Sequence, residues 1–140
     1  MKDQFKDDLT ALREIVELRK DWEVYQAESD HTVTHFEKEY PELSKEFKDI
    51  QDEMYRMFAA KHMDYGLQNI SLGGDLTKET DKKFSLTGLA IRLTDKISRL
   101  RNLLVNGKNF VKGEGTEDTF LDVANYGIIG LLVGRNKWKK

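Results

Sequence analysis

Cysteine is absent from the 140 residues, which excludes disulfides, thiolate metal sites and a cysteine nucleophile and is compatible with a reducing cytosol. Long apolar runs are missing too. No stretch approaches the roughly 20 apolar residues of a membrane span, and the N-terminal Met-Lys-Asp-Gln-Phe-Lys-Asp-Asp has no apolar signal core. The expectation is a soluble protein of the cytoplasm. Neither sign of charge dominates: 23 Lys and Arg stand against 25 Asp and Glu, a net −2. That balance argues against a duplex nucleic-acid binder relying on overall basicity, and leaves room for a local cationic pocket. Proline occurs once, and strong 3.6-residue periodicity with few β-branched alternations points to an all-α fold.

The length suits a single domain, residues 1–140, able to bury a core without disulfides or structural metal. Four main helices are expected. The first, about residues 2–27, spaces Leu9, Leu12, Ile15, Val16, Arg19 and Trp22 along one face. Ser29 to His35 reads as an interruption, since its residues favour turns and caps over helix interiors. His31 and His35 lie four apart but lack a third ligand, so they read as exposed side chains. Pro41 opens a second helix that carries Leu43, Phe47, Ile50, Met54, Met57, Phe58 and Lys61 at spacings of three and four and ends at Gly66. Residues 67–84 read as an irregular connection, and connections of that length are usually functional or mobile. Ser85 is the expected cap of a third helix running to Asn106 and Gly107, and Thr116 that of a fourth ending near Gly134. Gly127, Gly130 and Gly134 on that last helix permit close approach of a neighbour. The basic tail from Arg135 is expected to fray.

The third helix carries two stripes. Leu89, Leu93, Ile97, Leu100 and Leu104 make one and read as core; Arg92, Asp95, Lys96, Arg99 and Asn102 make the other. Three cations around one carboxylate form more pattern than a solvated face requires. On the last helix Phe120, Leu121, Ala124, Ile128, Leu131 and Leu132 read as the apolar side, with Asp118, Asp122 and Asn125 adjoining it. A carboxylate at a core edge is costly without a partner. Asp122 has two open to it: an ion pair with Arg92, Lys96 or Arg99, or a divalent metal shared with Asp95 and Asp118, whose oxygens suit Mg²⁺ or Mn²⁺. Asp118 has a simpler reading as an acid in a first turn, where it complements the helix dipole. Arg92, Lys96 and Arg99 offer donors to phosphates. Tyr65, at a helix end, either stacks on a base or covers the core, with His62, Asp64 and Asn69 flanking that corner.

Lys-His-Met-Asp-Tyr-Gly at 61–66, Arg-Leu-Thr-Asp-Lys-Ile-Ser-Arg-Leu at 92–100 and Glu-Asp-Thr-Phe-Leu-Asp-Val-Ala-Asn-Tyr at 117–126 resemble the nucleotide modification associated domain found largely in bacteriophages. The resemblance spans about residues 47–132. That family is in turn similar to the all-α nucleotide pyrophosphohydrolases of the MazG and dimeric dUTPase type. The resemblance implies an oligomeric helical bundle that binds Mg²⁺ through acidic helix motifs and cleaves nucleoside triphosphates to monophosphate and pyrophosphate. It sets Asp122 at the final position of a Glu-x-x-Asp motif, with Thr119 replacing the first acid. Asp95 stands for one acid of a Glu-x-x-Glu motif, with Arg92 in its partner's place.

Two functions follow as expectations. In a Mg²⁺-dependent pyrophosphohydrolase, Asp95, Asp118 and Asp122 hold the metal, Asp95 and Asp122 being the catalytic pair. Arg92, Lys96 and Arg99 then neutralise developing charge. In a phage binding protein that sequesters a nucleotide or nucleotide-derived defence signal, the same cations hold phosphates. His62, Asp64, Tyr65, Asn69 and Asn125 complete the pocket, and no chemistry occurs. A purely structural ionic stripe on a helical interaction module is the third possibility. Ala and Gly positions on the last helix, and an amphipathic first helix with no evident partner, lead to the expectation of a homo-oligomer whose site a neighbouring chain completes.

Overall fold

The computed structural model describes the backbone of residues 2–139, with side chains for residue 17 and residues 19–139. It is all-α, with no strand among the described residues. The helices are α1 (Lys2–Glu39), α2 (Pro41–Tyr65), the single turn α3 (Gln68–Ser71), α4 (Glu79–Asn106) and α5 (Thr116–Gly134). None of them is long and apolar enough to cross a membrane.

The helix ends follow local chemistry. Pro41 stands at the first position of α2, where its missing N–H leaves no bond unmade. Gly66 (φ +69°) stops α2 and Gly107 (φ +64°) stops α4, both in the left-handed region that glycine adopts without penalty. Gly115, and not Thr116, occupies the cap of α5, and the Asp118 carboxylate reaches back to accept its N–H at 2.8 Å.

Contacts divide the chain into two compact units, Met1–Asp49 and Ile50–Lys140. In the first, α1 continues unbroken through Ser29–His35, where an interruption was expected. The reason is visible at Thr32 and Thr34, whose hydroxyls donate back to the Glu28 and Asp30 carbonyls at 2.9 Å each and stay within the helix. The spacing of Leu9, Leu12, Ile15 and Val16 lies outside the described side chains. Across the α1–α2 junction Lys48 pairs with Glu37, and the Phe36 and Tyr40 rings lie 5.5 Å apart.

In the second unit α4 packs along α5, and α3 sits against α4. Ile70, Leu89, Ile129, Val133 and Trp138 form its buried core, joined by Phe58, Leu67, Leu86 and Tyr126. Five expectations are corrected here. The connection after Gly66 holds a helical turn, and α4 begins at Glu79, so Ser85 is an interior residue. Its buried hydroxyl donates to the Ile70 carbonyl at 2.7 Å and ties α3 to α4. Within the apolar stripe of α4 only Leu89 is buried, while Ile97 and Leu104 are exposed. On α5 the buried face is Leu121, Asn125, Ile129 and Val133; Phe120, Ile128 and Leu131 look outward. The tail folds back instead of fraying: Trp138 is buried, and its indole Nε1 donates to the Leu67 carbonyl at 2.9 Å.

Candidate functional site

A cavity of about 590 Å³ opens in the second unit between the C-terminal part of α2, α4 and α5, with Trp138 at one end. That volume lies within the usual range for a small-molecule site, about 300–1,000 Å³. Helical spacing delivers the wall. Met57, Phe58, Lys61, His62 and Tyr65 recur at three and four along α2, Arg92 and Lys96 stand one turn apart on α4, and Asp118, Asp122 and Asn125 follow on α5.

At the polar end Asp122 is held by two ammonium groups, Lys96 at 2.7 Å on one carboxylate oxygen and Lys61 at 2.6 Å on the other. Burial pushes the Asp122 pKa up, but the hydrogen bonds and charges of the two lysines outweigh it and hold the carboxyl below its ordinary value. The same hydrogen bond raises the Lys96 pKa. Arg92 donates one nitrogen to the Asn69 carbonyl at 3.0 Å and its side-chain oxygen at 3.4 Å, which fixes the guanidinium in the wall. Asn125 is buried and donates to the Met54 carbonyl at 3.3 Å, joining α5 to α2.

Another part of the wall is aromatic. His62 stacks on Phe58 with centroids 5.7 Å apart and meets Trp138 edge-on at 5.0 Å. Its Nδ1 is buried without a hydrogen-bond partner, an expensive condition that a bound ligand with a suitable polar atom relieves. Tyr65, largely exposed, stands at the rim.

Of the residues singled out from sequence, the cavity thus gathers His62, Tyr65, Asn69, Arg92, Lys96, Asp118, Asp122 and Asn125. It does not gather Asp64 or Asp95, which are exposed and outside its wall. Arg99 serves the α4–α5 connection instead, bonding the Thr119 hydroxyl at 3.0 Å, the Glu114 carbonyl at 2.6 Å and the Glu114 carboxylate at 3.2 Å. Lys61 and Trp138 were not singled out as site residues. Lys61 continues the periodic face of α2, a signal that was present; Trp138 is a lone aromatic in a basic tail and gave none.

As arranged, the carboxylates do not fit a resident Mg²⁺ held by Asp95, Asp118 and Asp122. Both Asp122 oxygens carry lysine ammonium groups, Asp118 accepts a backbone N–H, and Asp95 is elsewhere. Among the described residues no three His, Asp or Glu side chains cluster to hold a metal ion.

Residues 78–133 match the family model described as nucleotide modification associated domain 1. The match covers α4 and almost all of α5, and so contains Arg92, Lys96, Asp118, Asp122 and Asn125. It is shorter than the span expected from sequence and leaves out the α2 motif that supplies Lys61, His62 and Tyr65. No curated protein and no solved structure matches the chain.

Proposed function

We propose that the cavity binds a nucleotide or nucleotide-derived signal and sequesters it unaltered. The observation that carries this reading is the pairing of both Asp122 oxygens with Lys61 and Lys96 in the wall of a cavity that Arg92 also lines. Each ammonium keeps further N–H donors, and Arg92 engages Asn69 through only one of its nitrogens. A phosphate entering there meets three cations, with Asp122 as the counter-ion that holds the lysines together in its absence. The base falls on the aromatic part of the wall, against His62, Tyr65 and Trp138. The match of α4 and α5 to a domain named for nucleotide modification supports a nucleotide over other anions.

A pyrophosphohydrolase of the MazG type needs carboxylates free to bind metal, and the engagement of Asp118 and Asp122 weighs against it. Titration calorimetry with nucleoside mono-, di- and triphosphates, with and without EDTA, separates the two. The expected result is binding that survives EDTA, with intact ligand recovered by chromatography. Release of monophosphate and pyrophosphate in the presence of Mg²⁺ would restore the hydrolase, and no heat with any nucleotide would remove both readings.

A further inference from the structure

The Nδ1 atom of His62 is buried and has no hydrogen-bond partner, and because it is buried a ligand lying in the cavity reaches it only if something moves. The rings packed against His62 are Phe58, one turn back on α2 at 5.7 Å, and Trp138, edge-on at 5.0 Å. Phe58 travels with His62 on the same helix. Trp138 belongs to the tail and can withdraw.

Trp138 is also lightly held. Backbone bonds tie the tail to α5 as far as Lys137: Arg135 donates to the Leu131 carbonyl at 2.9 Å, Asn136 to Val133 at 3.1 Å and Lys137 to Leu132 at 2.8 Å. Asn136 turns the chain there, at φ +56°. Past Lys137 the indole N–H on the Leu67 carbonyl, at 2.9 Å, is the one hydrogen bond from the tail to the rest of the unit among the described residues. Beside the ring lies open space. A second cavity of about 450 Å³ stands between residues 67–77 and the tail, and Leu67, Ser71, Leu76, Val133 and Trp138 itself line it. Cavities of about 300–1,000 Å³ hold whole small molecules, so this one can receive an indole. The buried Ser71 in its wall offers the displaced indole N–H an acceptor.

We infer that Trp138 is a latch over His62 and that His62 is the residue through which the site demands a base. The base enters between His62 and Trp138, the indole shifts into the second cavity, and His62 Nδ1 hydrogen-bonds a polar atom of the base. This rests on the nucleotide reading of the first cavity, and it accounts for two features which that reading leaves aside: the unpaired nitrogen and the space beside the ring. With the cavity empty, indole burial and the bond to Leu67 keep the latch shut at the cost of one unpaired nitrogen. A base supplies the missing partner and selects the open form. A phosphate without a base meets Lys61, Arg92 and Lys96 and leaves the latch shut.

Exchange of the Trp138 indole N–H with solvent, followed by NMR on the full chain without ligand, tests the latch directly. It should exchange at least about tenfold faster than the backbone N–H of Val133 in the core, because a latch opens locally while the core exchanges by unfolding. Ser71→Leu, or Thr77→Leu at the exposed rim, fills part of the second cavity and should slow the indole toward the rate of the core. In calorimetry a nucleoside 5′-monophosphate should bind at least about tenfold more tightly than ribose 5-phosphate, which has no base. That margin should disappear in His62→Phe and also in the two filled variants, although positions 71 and 77 lie outside the wall of the first cavity. An indole that exchanges no faster than the Val133 N–H, or a margin that survives filling of the second cavity, would overturn the latch and leave the nucleotide reading standing. No heat from either ligand would remove the nucleotide reading and, with it, the role given to His62.

Discussion

Lys96 on α4 donates to Asp122 on α5 at 2.7 Å, and this bond joins the two helices at the polar end of the cavity. Lys61 reaches the same carboxylate from α2 at 2.6 Å. One acid therefore holds three helices in register, and its removal has structural and ligand-binding consequences of opposite sign.

Asp122→Asn is expected to lower stability by about 1–3 kcal/mol, because two partly buried ammonium groups lose a charged acceptor. Urea denaturation at neutral pH measures it. The same substitution should tighten the binding of inorganic phosphate, since Lys61 and Lys96 no longer share their donors with a carboxylate. If Asp122 were a metal ligand, phosphate binding would instead weaken.

The pH dependence follows from the depressed Asp122 pKa. A carboxyl whose folded value lies below its ordinary 3.8 contributes stability that is fully present above 3.8 and is lost as the pH falls through the folded value. Stability curves of the wild type and Asp122→Asn should therefore run apart at neutral pH and converge only on acidification below 3.8. Lys96 acts in the opposite range: its raised value keeps its contribution intact below 10.5 and loses it as the pH rises through the folded value. Thermal melts across both ranges test the two signs.

Arg92→Gln is expected to reduce nucleotide affinity by about 10–100-fold, the loss of one charge-assisted phosphate contact worth about 1.5–3 kcal/mol. Arg92→Lys should recover only part of it, because an ammonium does not reproduce the planar fork that spans Asn69 and a phosphate. Calorimetry with the best-bound nucleotide compares the three proteins.

Ser85→Ala should destabilise the second unit by about 1–3 kcal/mol, since it strips the buried Ile70 carbonyl of its hydroxyl donor. Trp138→Ala should cost about 3–5 kcal/mol, an aromatic side chain lost from a packed core. Chemical denaturation resolves both. A near-neutral Trp138→Ala would show that the tail contributes little to the core.

The helices were legible where the signal was local. Pro41, Gly66 and Gly107 fix helix ends through their own backbone geometry, and each stands where the sequence placed it. The interruption expected at Ser29–His35 did not occur, because the threonine hydroxyls there bond back into the helix, an outcome that propensity alone does not decide. Which face of α5 is buried was illegible for a different reason. The helix is apolar on nearly every side, so periodicity offers no contrast, and tertiary packing chose Ile129 and Val133 over Ile128 and Leu131. The need of Asp122 for a partner could be read from its neighbours in sequence, and Lys96 was among the candidates. The second partner, Lys61, lies 61 positions away, and no spacing rule reaches so far.

The chain contains two tryptophans, and they occupy opposite environments: Trp22 is exposed on α1, while Trp138 is buried beside His62 in the cavity wall. The indole of Trp138 is therefore an intrinsic optical probe at the place where a base is expected to lie. With Trp22 replaced by phenylalanine, tryptophan emission comes from Trp138 alone. Its wavelength and intensity then register what enters the cavity, with no label attached to the protein.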